Sequence, residues 1–169
     1  MLYKLKNTFL NKFKVSNRRY LTILTILLYF LVIKTFAQKS IYFEAITTSK
    51  GLSQSDVNAI HQDEDGFMWF GTHDGLNRYD GHSFKVYKPN LDDISTISSN
   101  LIYKIEDDQD GNLWIGTTGG GLIYFDRTLE KFTTYKHNKE VINSLNGNNI
   151  SCLYRDKKNR LWVGTNKGI

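Results

Sequence analysis

From residue 52 onward, hydrophobic positions recur in the same order three times. Leu52, Ile97 and Leu145 each stand seventeen residues before a tryptophan. Val57, Ile102 and Ile150 stand twelve before it, and Ile60, Ile105 and Leu153 nine before it. The tryptophans themselves, Trp69, Trp114 and Trp162, lie 45 and 48 residues apart. That period suits four short strands with their turns, as in a propeller blade. In the first copy the pattern predicts strands over 57–63, 67–72, 75–80 and 83–88, with tight turns at Asp65-Gly66 and at Gly81. The second strand is apolar almost without alternation, as expected where sheets cover both faces. Val57 and Ile60 are three apart, a spacing that a helix would also allow. A segment so short, closed by Asp-Gly, predicts instead a strand with a bulge.

The small difference in period has a place. Phe84 to Trp114 and Phe132 to Trp162 are both 30 residues, so the extra residues lie between Trp114 and Phe132. One is a glycine in Gly119-Gly120-Gly121 and two fall within 127–131. Turns accept insertions, whereas a one-residue slip turns a strand's side chains over. Phe43 and Ile46 repeat the spacing of Phe84 and Tyr87, which predicts a fourth-type strand over 41–47 with no blade before it. Closed propellers use such a strand to complete their last blade and remove open edges. The expected organisation is an all-β, incomplete propeller of about two and a half four-stranded antiparallel blades plus one N-terminal strand. Residues 1–37 form a helical signal peptide or membrane anchor and 38–50 the orphan strand. Blade one is 51–96, blade two 97–144, and 145–169 half of a third, truncated blade. Two and a half blades cannot bury all their faces, so exposed sheet edges and apolar faces are expected of residues 38–169.

Charge changes the picture only when it is divided. Of the 22 basic residues, eight lie in the first 43, which hold no acid; the other 14 face all 17 acidic residues. The repeats are therefore net −3 within a chain of +5, and nothing in them calls for nucleic acid. Leu21–Ile33 is an apolar run behind a basic segment, with Thr35 and Ala37 after it. This is the layout of a secretory signal cleaved after Ala37, and the run is shorter than the ~20 residues that span a bilayer. An uncleaved anchor over 20–36, with Lys34 snorkelling, is the alternative. Both place the repeats outside the cytoplasm, with membrane contact only through the N-terminal segment.

Catalytic chemistry is hard to find. A single Cys152, in the place of Ala59 and Lys104, excludes an internal disulfide. Asp63-x-Asp65-Gly66 and Asp108-x-Asp110-Gly111 lack the rest of a calcium loop, and the third copy puts Lys158 at a ligand position. Turn formation explains all three copies, with Asn159 in the glycine slot. His61, His73, His82 and His137 share no metal spacing, no nucleophile triad is present, and Gly119–Gly121 lacks the Lys-Ser/Thr of a phosphate loop. No metal or other cofactor is expected. Sugar stacking on Trp69, Trp114 and Trp162 is weighed against packing between blades, and flanking apolar strand residues favour packing. Gly71, Gly116 and Gly164 are expected to be structural with them. Recognition is left to turn residues that differ between copies: His73 and Asp74, Thr118 and Gly119, Asn166 and Lys167.

The phrase Leu52-Ser53, Val57, Ile60, Asp63, Gly66, Trp69, Gly71-Thr72, Gly75-Leu76, Tyr79-Asp80 resembles the two-component regulator propeller repeat, and the resemblance runs three times over residues 41–169. It implies a periplasmic sensor propeller, ahead of a β-sandwich, a membrane helix and a histidine kinase, responding to extracellular oligosaccharides. It further implies that this chain, without kinase motifs, is a fragment that performs no catalysis and whose partners are an oligosaccharide and the remaining blades. Alternatives are the first part of a carbohydrate-active propeller enzyme or a protein-interaction propeller. Sialidase-type propellers require Asp five residues before the Trp, where Glu64, Gln109 and Lys157 stand.

Overall fold

The structure is a computed structural model in which residues 18, 20–29 and 40–169 are described. It divides into two compact units, Met1–Glu44 and Ala45–Ile169. In the first, residues 20–29 are helical. No described helix is long and apolar enough to cross a membrane. Most of the expected signal segment, including its boundary at Ala37, lies outside the described residues. Residues 40–47 form no strand. Their expected pairing requires the third strand of another blade, and no such strand stands free among the described residues to receive them.

The second unit opens with a turn of 3-10 helix at Thr48–Lys50 and then runs entirely in strands. Blade one is β1 (Val57–Gln62), β2 (Met68–Thr72), β3 (Gly75–Tyr79) and β4 (Phe84–Tyr87). Blade two is β5 (Ile102–Asp107), β6 (Leu113–Thr117), β7 (Leu122–Asp126) and β8 (Lys131–Tyr135). β9 (Ile150–Arg155) and β10 (Leu161–Thr165) form a two-stranded sheet. Within each sheet, neighbours in sequence pair antiparallel, and the first strands β1, β5 and β9 lie side by side. This is the mostly β, propeller-like architecture that the repeat predicts.

The odd spacing of three is reconciled by a bulge. Val57 opposes Thr72 while Ala59 opposes Gly71, which leaves Asn58 without a counterpart. Tyr103 in β5 and Ser151 in β9 are left over in the same way. One extra residue restores the facing, so Ile102 and Ile105 are both buried. The first turn of each blade uses a left-handed residue: Gly66 at φ 88°, Gly111 at 79° and Asn159 at 59°.

Glycine in the Trp-x-Gly-Thr phrase answers to the next blade. A Cβ on Gly71 would lie 2.6 Å from Ile102 Cγ2, and one on Gly116 would lie 2.7 Å from Ile150 Cγ2. The first strand of the following blade therefore approaches a bare backbone. In β10, Gly164 instead faces Cys152 Sγ of its own sheet.

The core lies between blades one and two. Trp69 is fully enclosed there. It stacks on Tyr87 at 6.0 Å between ring centroids and meets Phe125 edge-on at 5.8 Å. Phe125 in turn stacks on Phe132 at 4.2 Å. Two residues of the longer β7–β8 turn carry charge across this junction. Arg127 Nη2 lies 3.1 Å from Asp63 Oδ2 and 2.6 Å from Asp65 Oδ2, and its Nη1 donates to Gly111 O. Glu130 receives Lys85 Nζ at 2.7 Å. The expectation that all three tryptophans pack between blades needs correction, because Trp114 is half-buried and Trp162 is 45% exposed. The cover over Trp69 comes from the third and fourth strands of the following blade, and blade three has only its first two among the described residues.

Candidate functional site

The turn between second and third strands ends on the same rim as the segment that leads into the next first strand. The six variable turn residues therefore share one rim. Inter-blade hydrogen bonds hold it: Gly75 N–H donates to Asn100 O at 2.8 Å, and Gly121 N–H to Asn148 O at 3.0 Å. Within blades two and three, Thr118 N–H donates to Leu101 O and Asn166 N–H to Asn149 O. Each turn is internally closed by a threonine hydroxyl, Thr72 Oγ1 to Gly75 O, Thr117 Oγ1 to Gly121 O and Thr165 Oγ1 to Gly168 O. The rim is built from backbone that the repeat dictates, with side chains that the repeat leaves open.

His73 is half-buried in the first turn, its Nε2 3.0 Å from the Tyr103 hydroxyl and the two rings 5.6 Å apart. Asp74 receives Lys88 Nζ at 2.6 Å. Gly119 N–H donates to Asn149 Oδ1 at 2.8 Å, so Asn149 touches the second turn through its side chain and the third through its backbone. Lys167 is exposed, its backbone N–H donating to Thr165 Oγ1. The structure thus brings His73 to Tyr103 and links the second and third turns through Asn149. Neither Tyr103 nor Asn149 was singled out from sequence. Tyr103 occupies the bulge position, where the copies carry Asn58, Tyr103 and Ser151, and that variability was the available signal.

The opposite rim also carries charge, and Asp63, Asp108 and Asp156 on it are engaged structurally. Asp63 accepts the Phe67 N–H at 2.9 Å and the Trp69 indole N–H at 2.6 Å, and it pairs with Arg127. Asp156 repeats this with Arg160 N–H and the Trp162 indole, which hold its carboxyl well below the usual range. In blade two, Tyr124 donates to Asp108 at 2.9 Å. Burial alone would raise the Asp108 carboxyl, yet the Asn112 N–H and the Tyr124 hydroxyl outweigh it and lower it. Tyr124 is pushed up to about 12, by burial first and by that carboxylate second. Asp63 and Asp156 are therefore indole anchors as well as turn formers, whereas Asp108 anchors Tyr124 instead. Among the described residues no three His, Cys, Asp or Glu side chains gather as a metal site would need.

Residues 51–74, 96–119 and 144–167 match the family model described as "Two component regulator propeller". Histidine kinase P4 of Formosa agariphila is 50% identical over 74 residues, which are 43% of this chain and 5% of that protein. The extracellular domain of BT3049 from B. thetaiotaomicron, described as a hybrid two component system, is 30% identical with a TM-score of 0.66. That match covers 71% of this chain and 17% of that one. The extracellular domain of BT4673 from the same organism, described as a one component system, is 27% identical with a TM-score of 0.58, covering 76% and 18%. PorZ of Porphyromonas gingivalis, a surface component of the type-IX secretion system, shares the fold at 22% identity and a TM-score of 0.52, covering 66% and 16%. The chain thus spans less than a fifth of each of these relatives. Its blades are repeats of the two component regulator propeller family, related to the extracellular sensor domains of two component systems.

Proposed function

We propose that these blades belong to an extracytoplasmic ligand-sensing propeller of a phosphorelay protein, and that they bind and position rather than catalyse. The ligand class is oligosaccharide, met at the rim that carries His73, Asp74, Thr118, Gly119, Asn166 and Lys167. One observation carries the choice of rim. Its backbone is fixed by the repeat while its side chains differ from blade to blade, as a recognition surface on a rigid scaffold requires. The basic, acid-free leader supports export, and kinship to extracellular domains of two component systems supports the signalling role.

Titration of the chain with a panel of acidic and neutral oligosaccharides, followed by calorimetry, tests this. Binding that weakens at least tenfold in His73→Ala and Lys167→Ala is the expected result. Affinity unchanged in both variants removes the rim from the reading, and no binding across the panel removes the ligand class.

A further inference from the structure

The bulge in each first strand sets one side chain outside the ladder, directly below the variable turns. Val57, Ile102 and Ile150 pair with Thr72, Thr117 and Thr165, the last residues before those turns, and the leftover Asn58, Tyr103 and Ser151 follow them. Asn58 spends its amide on backbone, donating to Ile102 O of the next blade at 3.2 Å. Tyr103 meets a side chain instead, its hydroxyl 3.0 Å from His73 Nε2 of blade one. That pair is not needed to close the junction, because Gly75 N–H to Asn100 O already joins the two blades at this level. Nor does the repeat supply it, since the other copies carry Thr118 and Asn166 where His73 stands.

His73 and Tyr103 are both half-buried, and both keep hydrogen-bonding capacity. His73 Nδ1 has no partner among the described residues. A neutral imidazole has one donor and one acceptor nitrogen, and a phenol has one donor and two lone pairs. If His73 Nε2 accepts from the phenol, Nδ1 is left to donate and the phenol oxygen to accept. In the other tautomer both roles reverse. Either way the pair presents one donor and one acceptor side by side. One blade on, Asn149 Oδ1 is held by Gly119 N–H at 2.8 Å, and its Nδ2 has no partner among the described residues. The charged neighbours of the pair in sequence are engaged or turned away. Asp74 receives Lys88 at 2.6 Å. Lys104 has its Cβ beside Gly116, on the face that meets Ile150 of blade three.

We propose that His73, Tyr103 and Asn149 are the specificity-determining residues of this rim, and that they read the hydroxyls of an uncharged sugar. His73 and Tyr103 take two adjacent ring hydroxyls, and Asn149 donates to a third oxygen. The assignment rests on the rim being the oligosaccharide face. A diol, whose hydroxyls both donate and accept, matches the His73–Tyr103 pair in either tautomer. A carboxylate only accepts, and matches it in neither.

The test is calorimetric titration of the chain with cello-, malto- and xylo-oligosaccharides and with oligogalacturonate, at about pH 8, where unperturbed histidine is neutral. The expected result is binding of a neutral probe, weakened about three- to tenfold in Tyr103→Phe and in Asn149→Asp, and no binding of oligogalacturonate. The first substitution keeps the aromatic ring, and the second keeps the oxygen that holds Gly119. Within a monodeoxy series of the bound probe, one member should bind the parent and Tyr103→Phe alike, because the lost hydroxyl is the one that Tyr103 contacts. A loss in Tyr103→Phe that is equal across the whole series would make its role structural and overturn the contact. Binding that weakens in Lys167→Ala but not in Tyr103→Phe or Asn149→Asp overturns the assignment and leaves the rim as the ligand face. Tighter binding of oligogalacturonate than of any neutral probe overturns the uncharged class. Absence of binding to every probe overturns the oligosaccharide reading and this assignment with it.

Discussion

The junction between blades one and two differs from the junction between blades two and three most at its outer layer. At the inner strands both are closed alike, with Ile102 against Gly71 and Ile150 against Gly116. At the outer strands the first is sealed by Phe125, Phe132 and Arg127, while the second leaves Trp114 half-buried. The polar anchor of the indole is local, because Trp162 keeps its bond to Asp156 at 3.0 Å while 45% exposed. The apolar enclosure is not local. Two copies of one phrase thus adopt the same strand and turn, and only the neighbouring hairpin decides whether the tryptophan is core.

The sharpest way to break this comparison is to truncate the tryptophans one at a time. Trp69→Ala should cost the chain about 3–5 kcal/mol, the usual price of emptying an enclosed aromatic site. Trp162→Ala, at a site already open to water, should cost less than about 1 kcal/mol. Trp114→Ala should fall between them. Denaturant unfolding of the three variants measures this order. Equal losses would mean that the phrase stabilises each blade from within, and that the neighbour's hairpin adds little.

What could be read before the structure follows the same division. Strand positions, the bulge and the turn glycines were legible because they depend on facing and on φ, which residues 57–72 state for themselves. Exposed apolar blade faces were expected, but that Trp69 alone would be enclosed was not legible. The enclosure depends on Phe125, Phe132 and Arg127, more than fifty residues on from Trp69. The role of Asp63 was half legible: its turn position was clear, its bond to the indole six residues away was not. At the candidate rim the differing turn residues stood out in sequence. Tyr103 and Asn149 did not: the varying bulge position was a signal for Tyr103, but contact between a turn and the next blade has no local signature.

Glycine substitution sharpens the comparison at its inner layer. Gly71→Ala and Gly116→Ala each push a Cβ to 2.6 and 2.7 Å from an isoleucine methyl of the next first strand. Overpacking of this kind costs about 1–3 kcal/mol. The two losses should match, because β5 and β9 are both in place. A double variant of Gly71→Ala with Ile102→Ala, which removes the clashing Cγ2, should lose less than the sum of the two single losses, read by the denaturation midpoint at unchanged slope. A marked loss at Gly71 with none at Gly116 would show that the second junction is loose at its centre as well as at its edge.

The smallest effect lies at the outer margin of the sealed junction, where Lys85 of blade one meets Glu130 of the longer β7–β8 turn. The side chains are 44% and 47% exposed, so solvent screening limits the pair to less than about 1 kcal/mol. Its hydrogen bond to Lys85 holds the Glu130 carboxyl below its ordinary 4.5, and the bond to Glu130 raises Lys85 above 10.5. A depressed acid stabilises the fold fully above its ordinary value, and loses that contribution as pH falls through the lowered one. A raised base stabilises below its ordinary value and loses it as pH rises through the raised one. The pair therefore works across the window between about 4.5 and 10.5. Glu130→Gln should lower the denaturation midpoint slightly at neutral pH, and the difference from the parent should shrink below pH 4 and in molar salt. A difference that persists under both conditions would assign the contribution of Glu130 to the left-handed turn it occupies at φ 51° rather than to its charge.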